Sequence, residues 1–256
     1  MITSTSNTQI KNGINLIKKS KDRKAQGLFV VEGKRMFEET PKERIHSLFV
    51  SESFERANKD SLRGYAYELV ADDVFSHMSD TKTPQGVMAL VKMSEYSIED
   101  MLKGGNPLIM ILENLQDPGN LGTIIRTAEG AGVDGIIMTS GTVDIYNPKV
   151  IRSTMGAMYR MKYAYTDNLK EAAAFLKSRG ITTYAAHLQG AVDYVTCDYK
   201  KGTAFFIGNE GNGLTDEATA LADRKIIIPM MGKLESLNAA VSGAVLMYEA
   251  ARQRRA

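Results

Sequence analysis

Short continuous runs of apolar residues alternate along the chain with segments whose apolar residues recur every three or four positions, a pattern that predicts alternating strands and helices. Near the start, the apolar spacing over residues 7–20 predicts a basic, exposed amphipathic helix, followed by a charged turn. Further helices are predicted from Lys34, through Arg56 and over residues 73–78, and strands at 28–33, 46–51, 66–70 and 86–91. We assign this small α/β unit to residues 1–92.

The second half of the chain has apolar runs that suit strands covered on both faces, and hence a parallel sheet. Residues 107–112 (PLIMIL) are the first such run, and DGIIM, TTYAA, TAFFI and KIII repeat it. Helices are predicted between these runs, over residues 121–130, 148–155, 169–179 and 215–222. The sequence therefore predicts a doubly wound α/β domain over residues 107–256. Residues 93–106, with a short helix and a Gly-Gly-Asn breaker, are predicted to be a linker.

The last predicted helix spans residues 237–252 and follows a strand that Pro229 terminates. The spacing of its apolar residues predicts one buried face. That face consists of Leu237, Val241, Ala244, Val245, Tyr248 and Ala251.

Composition is ordinary for a globular protein, with 43% hydrophobic and 24% charged residues. The single cysteine, Cys197, excludes an intramolecular disulfide and a cysteine-rich zinc site, and is interpreted as a small buried residue. The first dozen residues lack the apolar core of a signal peptide, and no run reaches the length of a membrane span. We therefore expect a cytoplasmic protein with no membrane partner.

The formal net charge is only +2, but positive charge is concentrated near the start of the chain. A basic cluster there is accompanied by one acid, Asp22. Such a cluster can neutralise the phosphates of a nucleic acid, although a solvated basic face is the alternative interpretation. The candidate RNA-binding residues of this cluster are Lys18, Lys19, Lys21, Arg23 and Lys24.

Three predicted strands of the second domain are each followed by a loop rich in polar residues or glycine. The first loop contains Asn120, a candidate helix cap, and leads to Arg126. The second contains Glu210 among three glycines, and the third contains Ser236 and Asn238. Each loop taken alone has a purely structural interpretation. Arg126 is then a solvated helix residue, the asparagines and Ser236 are helix caps, and the glycines form a tight turn. Because ligands of parallel α/β sheets bind beyond the carboxyl ends of strands, three such loops together indicate a site.

Several kinds of chemistry are disfavoured by the same residues. The glycines are spaced GxxGxG, which fits neither a dinucleotide fingerprint nor a phosphate-binding P-loop, so a Rossmann-type oxidoreductase is a weak alternative. The histidines His46, His77 and His187 are scattered without ligand spacing, so no metal site is expected. There is also no Gly-x-Ser-x-Gly motif for serine catalysis.

Three motifs, DPGNLGTIIRTAEGAG, IGNEGNGL and IPMMGKLESLNAAVSGAVLMYEA, resemble in sequence order those of the SpoU/TrmH family of RNA 2′-O-ribose methyltransferases, in the SPOUT superfamily. The resemblance covers residues 108–252. The first ninety residues resemble, more loosely, the L30e-like substrate-binding domain that often precedes it. The resemblance implies a C-terminal α/β domain with a deep trefoil knot, a feature that general topology rules disfavour.

The resemblance also implies that the enzyme binds S-adenosylmethionine (SAM) as its methyl donor and uses no metal. The implied cofactor-binding residues are Gly208, Ile228, Met230, Leu237 and Asn238. The implied catalytic residues are Arg126, Asn120, Glu210, Ser236 and Asn238. Asn209 departs from the smaller residue that many family members have at this position, and is expected to alter polar contacts in the pocket.

Methyl transfer requires the ribose 2′-hydroxyl to be positioned behind the methyl group and to lose its proton. A guanidinium normally stays charged, so Arg126 is an unfavourable base. We expect it instead to hold an RNA phosphate and to stabilise the developing alkoxide, while Glu210 orients groups around it.

Family resemblance further implies a homodimer through the knotted domain, in which Met247 and Tyr248 are candidate interface residues, although a methionine and aromatic face is more often part of a core. The expected substrate is large-subunit (23S-type) ribosomal RNA, with transfer RNA as the alternative. A non-catalytic RNA-binding or ribosome-assembly protein is a further alternative. It could have lost Arg126, Asn120, Glu210 or Asn238, and all four are present.

Overall fold

The computed structural model describes residues 1–189 and 191–255, which form two compact units. The N-terminal unit contains Met1–Ser94 together with Asp144–Tyr159, and the C-terminal unit contains Glu95–Val143 and the chain from Arg160 onward. The helices are α1 Thr8–Lys18, α2 Ser20–Gln26, α3 Lys34–Glu39, α4 Glu52–Ala57, α5 Asp72–Met78, α6 Ile98–Met101, α7 Pro118–Ala131, α8 Pro148–Thr154, α9 Leu169–Ser178, α10 Asp216–Leu221 and α11 Ala239–Arg255. The strands are β1 Leu28–Glu32, β2 Ile45–Ser51, β3 Glu68–Val70, β4 Val87–Lys92, β5 Leu108–Leu112, β6 Gly135–Thr139, β7 Tyr163–Thr166, β8 Thr182–Ala186, β9 Val192–Asp193, β10 Thr203–Ile207 and β11 Arg224–Ile227.

The sheet of the N-terminal unit has the strand order β1-β4-β2-β3. β4 lies between β1 and β2 and is antiparallel to both, and β3 is parallel to β2. One face of α1 packs on this sheet because Ile10, Leu16 and Ile17 are buried in the core, which also contains Val74 and Met78 of α5. The predicted amphipathic helix is thus confirmed.

The charged stretch after α1 forms the helix α2, although a turn was predicted there. Seven residues with few apolar side chains give no periodic signal. The helix is nevertheless terminated by Gly27, whose φ of 64° is the left-handed conformation typical of a helix end.

The segment Asp144–Tyr159 belongs to the N-terminal unit, although the predicted boundaries assign it to the second domain. Its residues Val150 and Ile151 are buried, and the ring of Tyr146 lies 4.6 Å from that of Phe29 in β1. Burial of these apolar side chains against β1 explains why this segment joins the first unit. The boundaries at residues 92 and 107 stay predictions.

The C-terminal unit contains a parallel sheet with the strand order β7-β6-β5-β10-β8-β11-β9. Every paired strand in it is parallel to its neighbour. The central strands β5 and β10 consist entirely of buried residues, as their apolar runs predicted. The strands β7 and β9 were not predicted, because they are short and contain partly exposed or polar residues.

The buried face of α11 differs from the predicted one. Its buried residues are Ala240, Gly243, Leu246, Met247, Ala250 and Gln253. Val241 and Tyr248, predicted to be buried, are each 48% exposed. The helix is apolar around much of its circumference, so spacing alone did not identify the packed side. Small residues such as Gly243 allow α11 to approach Met110 of β5 and Ile124 of α7 closely.

The end of α11 is fixed by the guanidinium of Arg254. It donates hydrogen bonds to the backbone oxygens of Tyr199 (2.9 Å), Asn106 (2.7 Å) and Lys201 (2.7 Å). These carbonyls precede β5 and β10, so Arg254 ties the last turn of the helix to the amino ends of the two central strands. Carbonyl groups that would otherwise need solvent are thereby satisfied.

Candidate active site and cofactor pocket

Three loops at the carboxyl edge of the parallel sheet form the candidate site. They follow β5, β10 and β11, and Leu112 of β5 pairs with Ile207 of β10 at the point where both strands end. The amide of Glu113 then donates to the oxygen of Ile207 at 2.9 Å. The first two loops therefore leave the sheet side by side.

The first loop leads into α7, and Asp117 caps this helix. Its side-chain oxygen accepts from the amide of Asn120 at 2.8 Å, with Pro118 at the first helical position. The predicted cap, Asn120, is instead the third residue of the helix. Because Asp117 fills the cap position, the side chain of Asn120 is available for other contacts.

Glu210 in the second loop holds the first loop with both carboxylate oxygens. Oε1 accepts from the amide of Asp117 (2.9 Å) and from Nδ2 of Asn120 (3.0 Å). Oε2 accepts from the amide of Gln116 (3.0 Å). Glu210 therefore orients the start of α7 through three hydrogen bonds, two of them to backbone.

These hydrogen bonds also determine the charge of Glu210. Partial desolvation by itself would raise the pKa of this carboxyl group. The hydrogen bonds from Asn120, Gln116 and Asp117 together outweigh desolvation, so that the pKa lies below its ordinary value. Glu210 is thus a carboxylate near neutral pH and a weak proton acceptor, which suits an orienting group better than a general base.

Asn238 in the third loop joins the same network from the other side. Its Nδ2 donates to Oδ1 of Asn120 at 3.0 Å. Its Oδ1 accepts from the amides of Ala240 (2.9 Å) and Val241 (3.3 Å) and so caps α11. The three predicted residues Asn238, Asn120 and Glu210 are therefore connected in a continuous chain of hydrogen bonds.

A cavity of about 300 Å³ lies between the second and third loops. Its size falls at the lower end of the usual range for small-molecule pockets. Its lining includes most of the predicted cofactor and polar residues, namely Gly208, Glu210, Ile228, Met230, Ser236 and Leu237. Ser236 is exposed and is not the cap of α11, and Asn238 is not among the lining residues.

Glycine is required at position 208 by the fold of the second loop, which borders this cavity. A Cβ at this position would lie 2.1 Å from the carbonyl carbon of Gly213 and 2.2 Å from the amide of Leu214. Only glycine permits the second loop to fold back so closely on its own start. The absence of a side chain at Gly208 therefore lets the backbone of residues 208–214 pack on itself beside the cavity.

Arg126 lies on α7, six residues beyond Asn120, which corresponds to about 9 Å along the helix axis. Its side chain is exposed and does not line the cavity. It forms no hydrogen bond or ion pair with any residue in the described ranges 1–189 and 191–255. The guanidinium therefore has its donors available for an external partner.

Several residues of the site were not identified from the sequence. Glu113 is buried and accepts from both the amide (2.9 Å) and Oγ1 (2.7 Å) of Thr215, fixing the start of α10. His187 lines the cavity beyond the end of β8. Their signal is a charged or ring-nitrogen residue placed directly after a buried apolar run, which sequence spacing alone does not distinguish from an ordinary loop residue.

The basic cluster lies in the N-terminal unit, and its five members differ. Lys18, Lys19, Lys21 and Lys24 are exposed. Arg23 is 3% exposed, and its guanidinium donates to Asp144 and to the backbone oxygens of Leu16 and Ile17. Arg23 therefore serves the structure of this unit, and its guanidinium is not available to RNA as the sequence predicts.

Two properties of residues 1–189 and 191–255 bear on the class of protein. No group of three or more His, Cys, Asp and Glu side chains there has the arrangement needed to hold a metal ion. No helix there combines the length and the apolar character that a membrane span requires.

Comparisons with known proteins identify both units. The profile of the SpoU rRNA methylase family matches residues 107–248, and that of the MRM3-like substrate binding domain matches residues 7–89. The 23S rRNA (guanosine(2553)-2′-O)-methyltransferase RlmP of Bacillus subtilis is 32% identical over 249 residues, covering 96% of this chain and 97% of the relative. The tRNA (guanosine(18)-2′-O)-methyltransferase of Thermus thermophilus is 41% identical over 162 residues, covering 61% of this chain and 81% of the relative.

The fold agrees with that of a solved enzyme with bound cofactor. The SpoU methyltransferase AviRb from Streptomyces viridochromogenes, in complex with AdoMet (SAM), matches with a TM-score of 0.88 and 26% identity, covering 98% of this chain and 99% of that one. The predicted α/β fold, the reaction class and the cofactor are thereby confirmed. The chain belongs to the SpoU/TrmH family and is a SAM-dependent RNA 2′-O-methyltransferase.

Proposed function

We propose that this enzyme methylates a ribose 2′-hydroxyl of a nucleotide in large-subunit ribosomal RNA. The observation that carries the proposal is the full-length similarity to RlmP, which includes the N-terminal unit that docks substrate. Similarity to the transfer RNA enzyme covers only 61% of this chain. The N-terminal unit therefore favours ribosomal RNA, and transfer RNA is the second candidate.

The experiment that tests this proposal is ribose-methylation mapping of total RNA from cells with and without the gene. We expect one 2′-O-methyl group of 23S-type ribosomal RNA to disappear and to return when the gene is restored. Loss of a methyl group from transfer RNA instead would identify the second candidate. Unchanged methylation in both RNA classes would contradict the proposed substrates.

The cavity residues Gly208, Ile228, Met230 and Leu237 are proposed to hold SAM, together with Asn238 through its position at the start of α11. SAM supplies an electrophilic methyl group on a sulfonium. The narrow second loop, which has no side chain at Gly208, supports close backbone contact with a ligand. Ser236 lies on the same wall and is proposed to contact the ribose.

The network Glu210–Asn120–Asn238 is proposed to orient the ribose, with Glu210 fixing the amide of Asn120, and Asn238 through it, rather than accepting the proton. The lowered pKa of Glu210 supports this division of roles. Arg126 is proposed to bind the RNA phosphate and to stabilise charge that develops on the 2′-oxygen. The exposure of its guanidinium supports contact with an external anion.

The RNA itself is proposed to dock on the exposed lysines Lys18, Lys19, Lys21 and Lys24 of the N-terminal unit. Their exposure and closely spaced positive charge support phosphate contacts. Together with the profile match over residues 7–89, they favour a substrate-docking role for residues 1–92.

We further propose a homodimer formed through the C-terminal unit. Val241 and Tyr248 of α11 are each 48% exposed and lie seven residues apart on one helical face. Exposed apolar side chains on one face are typical of an interface. Met247 is buried within its own chain and is removed from the proposed interface. Because Arg126 is outside the cavity wall, we propose that a partner copy supplies it to the site.

The trefoil knot is proposed for the segment that leads into α11. β11 lies near one side of the sheet, between β8 and β9, whereas α11 packs on α7 and approaches β5. The chain thus returns across the sheet between these elements, which supports the proposal.

We also propose a cytoplasmic location for the enzyme. The proposed ribosomal RNA substrate supports this location.

A further inference from the structure

Asn209 follows Gly208 at the end of β10 and uses both ends of its side-chain amide. Nδ2 donates to the backbone oxygen of Asn114 at 2.9 Å. Oδ1 accepts from the amides of Gly211 (2.9 Å) and Asn212 (3.2 Å). Since a carbonyl requires a donor and an amide hydrogen requires an acceptor, these surroundings fix the orientation of the side chain.

The two ends of the amide have different consequences. The oxygen closes the second loop on itself, where the backbones of Asn209 and Gly213 also exchange two hydrogen bonds, of 3.0 and 2.9 Å. The nitrogen reaches across to the first loop. Its acceptor is held in place because Asn114 has a positive φ of 51° and its amide donates to Oγ1 of Thr139 at 2.9 Å.

The next residue, Glu210, is the one that holds Asn120 and the start of α7. Asn209 and Glu210 are therefore consecutive side chains that bind the same first loop at different points. The bond from Asn209 joins the loops at Asn114, next to the point where the carboxylate of Glu210 reaches Asn120. A side chain without a donor at position 209 removes this link and leaves the contacts of Glu210 to hold the first loop.

We propose that Asn209 is a positioning residue with two separable effects. Its oxygen shapes the loop that lines the SAM cavity, and its nitrogen aligns Glu210, and through it Asn120 and Asn238, with the ribose. This inference rests on the proposed function of the network. Asn209 itself is not proposed to contact the reacting atoms.

Two variants separate these effects. Asn209→Asp keeps the acceptor for Gly211 and Asn212 but replaces the donor with an oxygen facing a carbonyl. We expect its kcat at saturating RNA to fall about tenfold, because one hydrogen bond is lost and an oxygen then faces the carbonyl, with SAM affinity within about twofold of the original. Asn209→Ala lacks both ends, so we expect SAM affinity to fall about tenfold as well.

The matched control is Asn168→Asp, because Asn168 caps α9 solely as an acceptor from the amide of Glu171 (3.1 Å). We expect this control to change neither kcat nor SAM affinity. The thermal stability of each variant is measured as well, and kcat and SAM affinity are compared among variants of equal thermal stability. Wild-type turnover in Asn209→Asp, or equal losses of SAM affinity in both variants, overturns the inference. If the unaltered enzyme methylates neither RNA, the proposed function fails. The calorimetric difference between the two variants then still decides the role of the oxygen.

Discussion

Nδ2 of Asn238 donates to Oδ1 of Asn120 at 3.0 Å, and thereby joins the start of α11 to the start of α7. Each residue also has a second hydrogen-bond partner. Oδ1 of Asn238 accepts from a backbone amide at the start of α11, and Nδ2 of Asn120 donates to Glu210. The side chain of Asn238 thus bonds its own helix and the first loop, whereas that of Asn120 bonds the second and the third loops. The polar part of the site is rigid before RNA binds, which reduces the entropy cost of aligning a ribose.

Arg126→Ala is expected to lower methyl transfer by about a hundredfold, the typical effect of removing a donor to developing negative charge. SAM affinity should stay within about twofold, because Arg126 does not line the cavity. Turnover with ribosomal RNA and calorimetry with SAM measure the two effects. Lys170→Ala, at an exposed position of α9, is the control. Loss of SAM affinity in the Arg126 variant would contradict the proposed role.

Glu210→Gln tests the electrostatic part of the network through stability. The folded-state pKa of Glu210 lies below its ordinary value of 4.5, so its carboxylate stabilises the fold above that pH and loses this effect as pH falls through the folded pKa. We therefore expect the variant to be less stable than the original at pH 7, and the difference to shrink as the pH falls below 4.5 and through the folded pKa. Urea unfolding of both proteins at pH 7 and at the lower pH measures this difference in stability. A difference that stays equally large below that range would show that charge is not its origin.

Gly208→Ala is expected to abolish measurable SAM binding, because its Cβ would lie 2.1 Å from backbone of the same loop and no flexible side chain can yield. Calorimetry measures the loss. Gly243→Ala is the matched control, since a Cβ there meets its neighbours at 3.7 Å and alanine favours a helix. Retained SAM affinity in Gly208→Ala would mean that the loop does not form the cofactor wall.

Replacing Lys18, Lys19, Lys21 and Lys24 by Gln should weaken RNA binding and make its dependence on salt less steep. Four lost phosphate contacts reduce the slope of log affinity against log salt by about three. Filter binding over a range of salt concentrations measures the slope. The control replaces an equal number of exposed lysines of the C-terminal unit, Lys170, Lys200, Lys201 and Lys225, and should leave the slope unchanged. Equal slopes for both variants would exclude the proposed docking surface.

Tyr248→Glu is expected to convert the proposed dimer into a monomer, since a charge at an apolar interface is desolvated without a partner. Sedimentation should report half the mass, and methyl transfer should fall because the partner's arginine is lost. Tyr67→Glu changes a similarly exposed tyrosine of the N-terminal unit and should leave the mass unchanged. A monomeric original protein with full activity would contradict both the dimer and the shared site.

Sequence patterns predicted the central strands well because β5 and β10 are buried on both faces, and a short continuous apolar run is typical of such strands. The same patterns did not identify the buried face of α11, because apolar residues surround much of this helix. Which side is buried depends on where small residues allow close packing against α7. Contacts between residues that are far apart in the sequence could not be predicted either. Arg23 resembles its lysine neighbours in sequence, and only the fold brings Asp144 to its guanidinium.

For the candidate site as well, the sequence predicted which residues take part but not the contacts that they make. Asn120, Glu210 and Asn238 were identified by motif, yet their hydrogen-bonded order depends on Asp117 taking the cap position that Asn120 was predicted to fill. Ser and Asn are both good caps, so spacing could not choose between Ser236 and Asn238 for α11. The two-sided role of the Asn209 amide depends on a contact with Asn114, which is far away in sequence.

The carbonyl contacts of Arg254 have a consequence for the timing of activity during synthesis. Ribosomes make the chain from its first residue, so the strands β5, β8 and β10 are made before the residues after Ile227 that complete the cavity. Arg254 then closes onto carbonyls of Asn106, Tyr199 and Lys201 that were made much earlier. A chain that ends before α11 lacks Ala239 and Ser242 of the cavity lining as well as the helix that Arg254 fixes, so the complete cavity exists only once the last helix has been made.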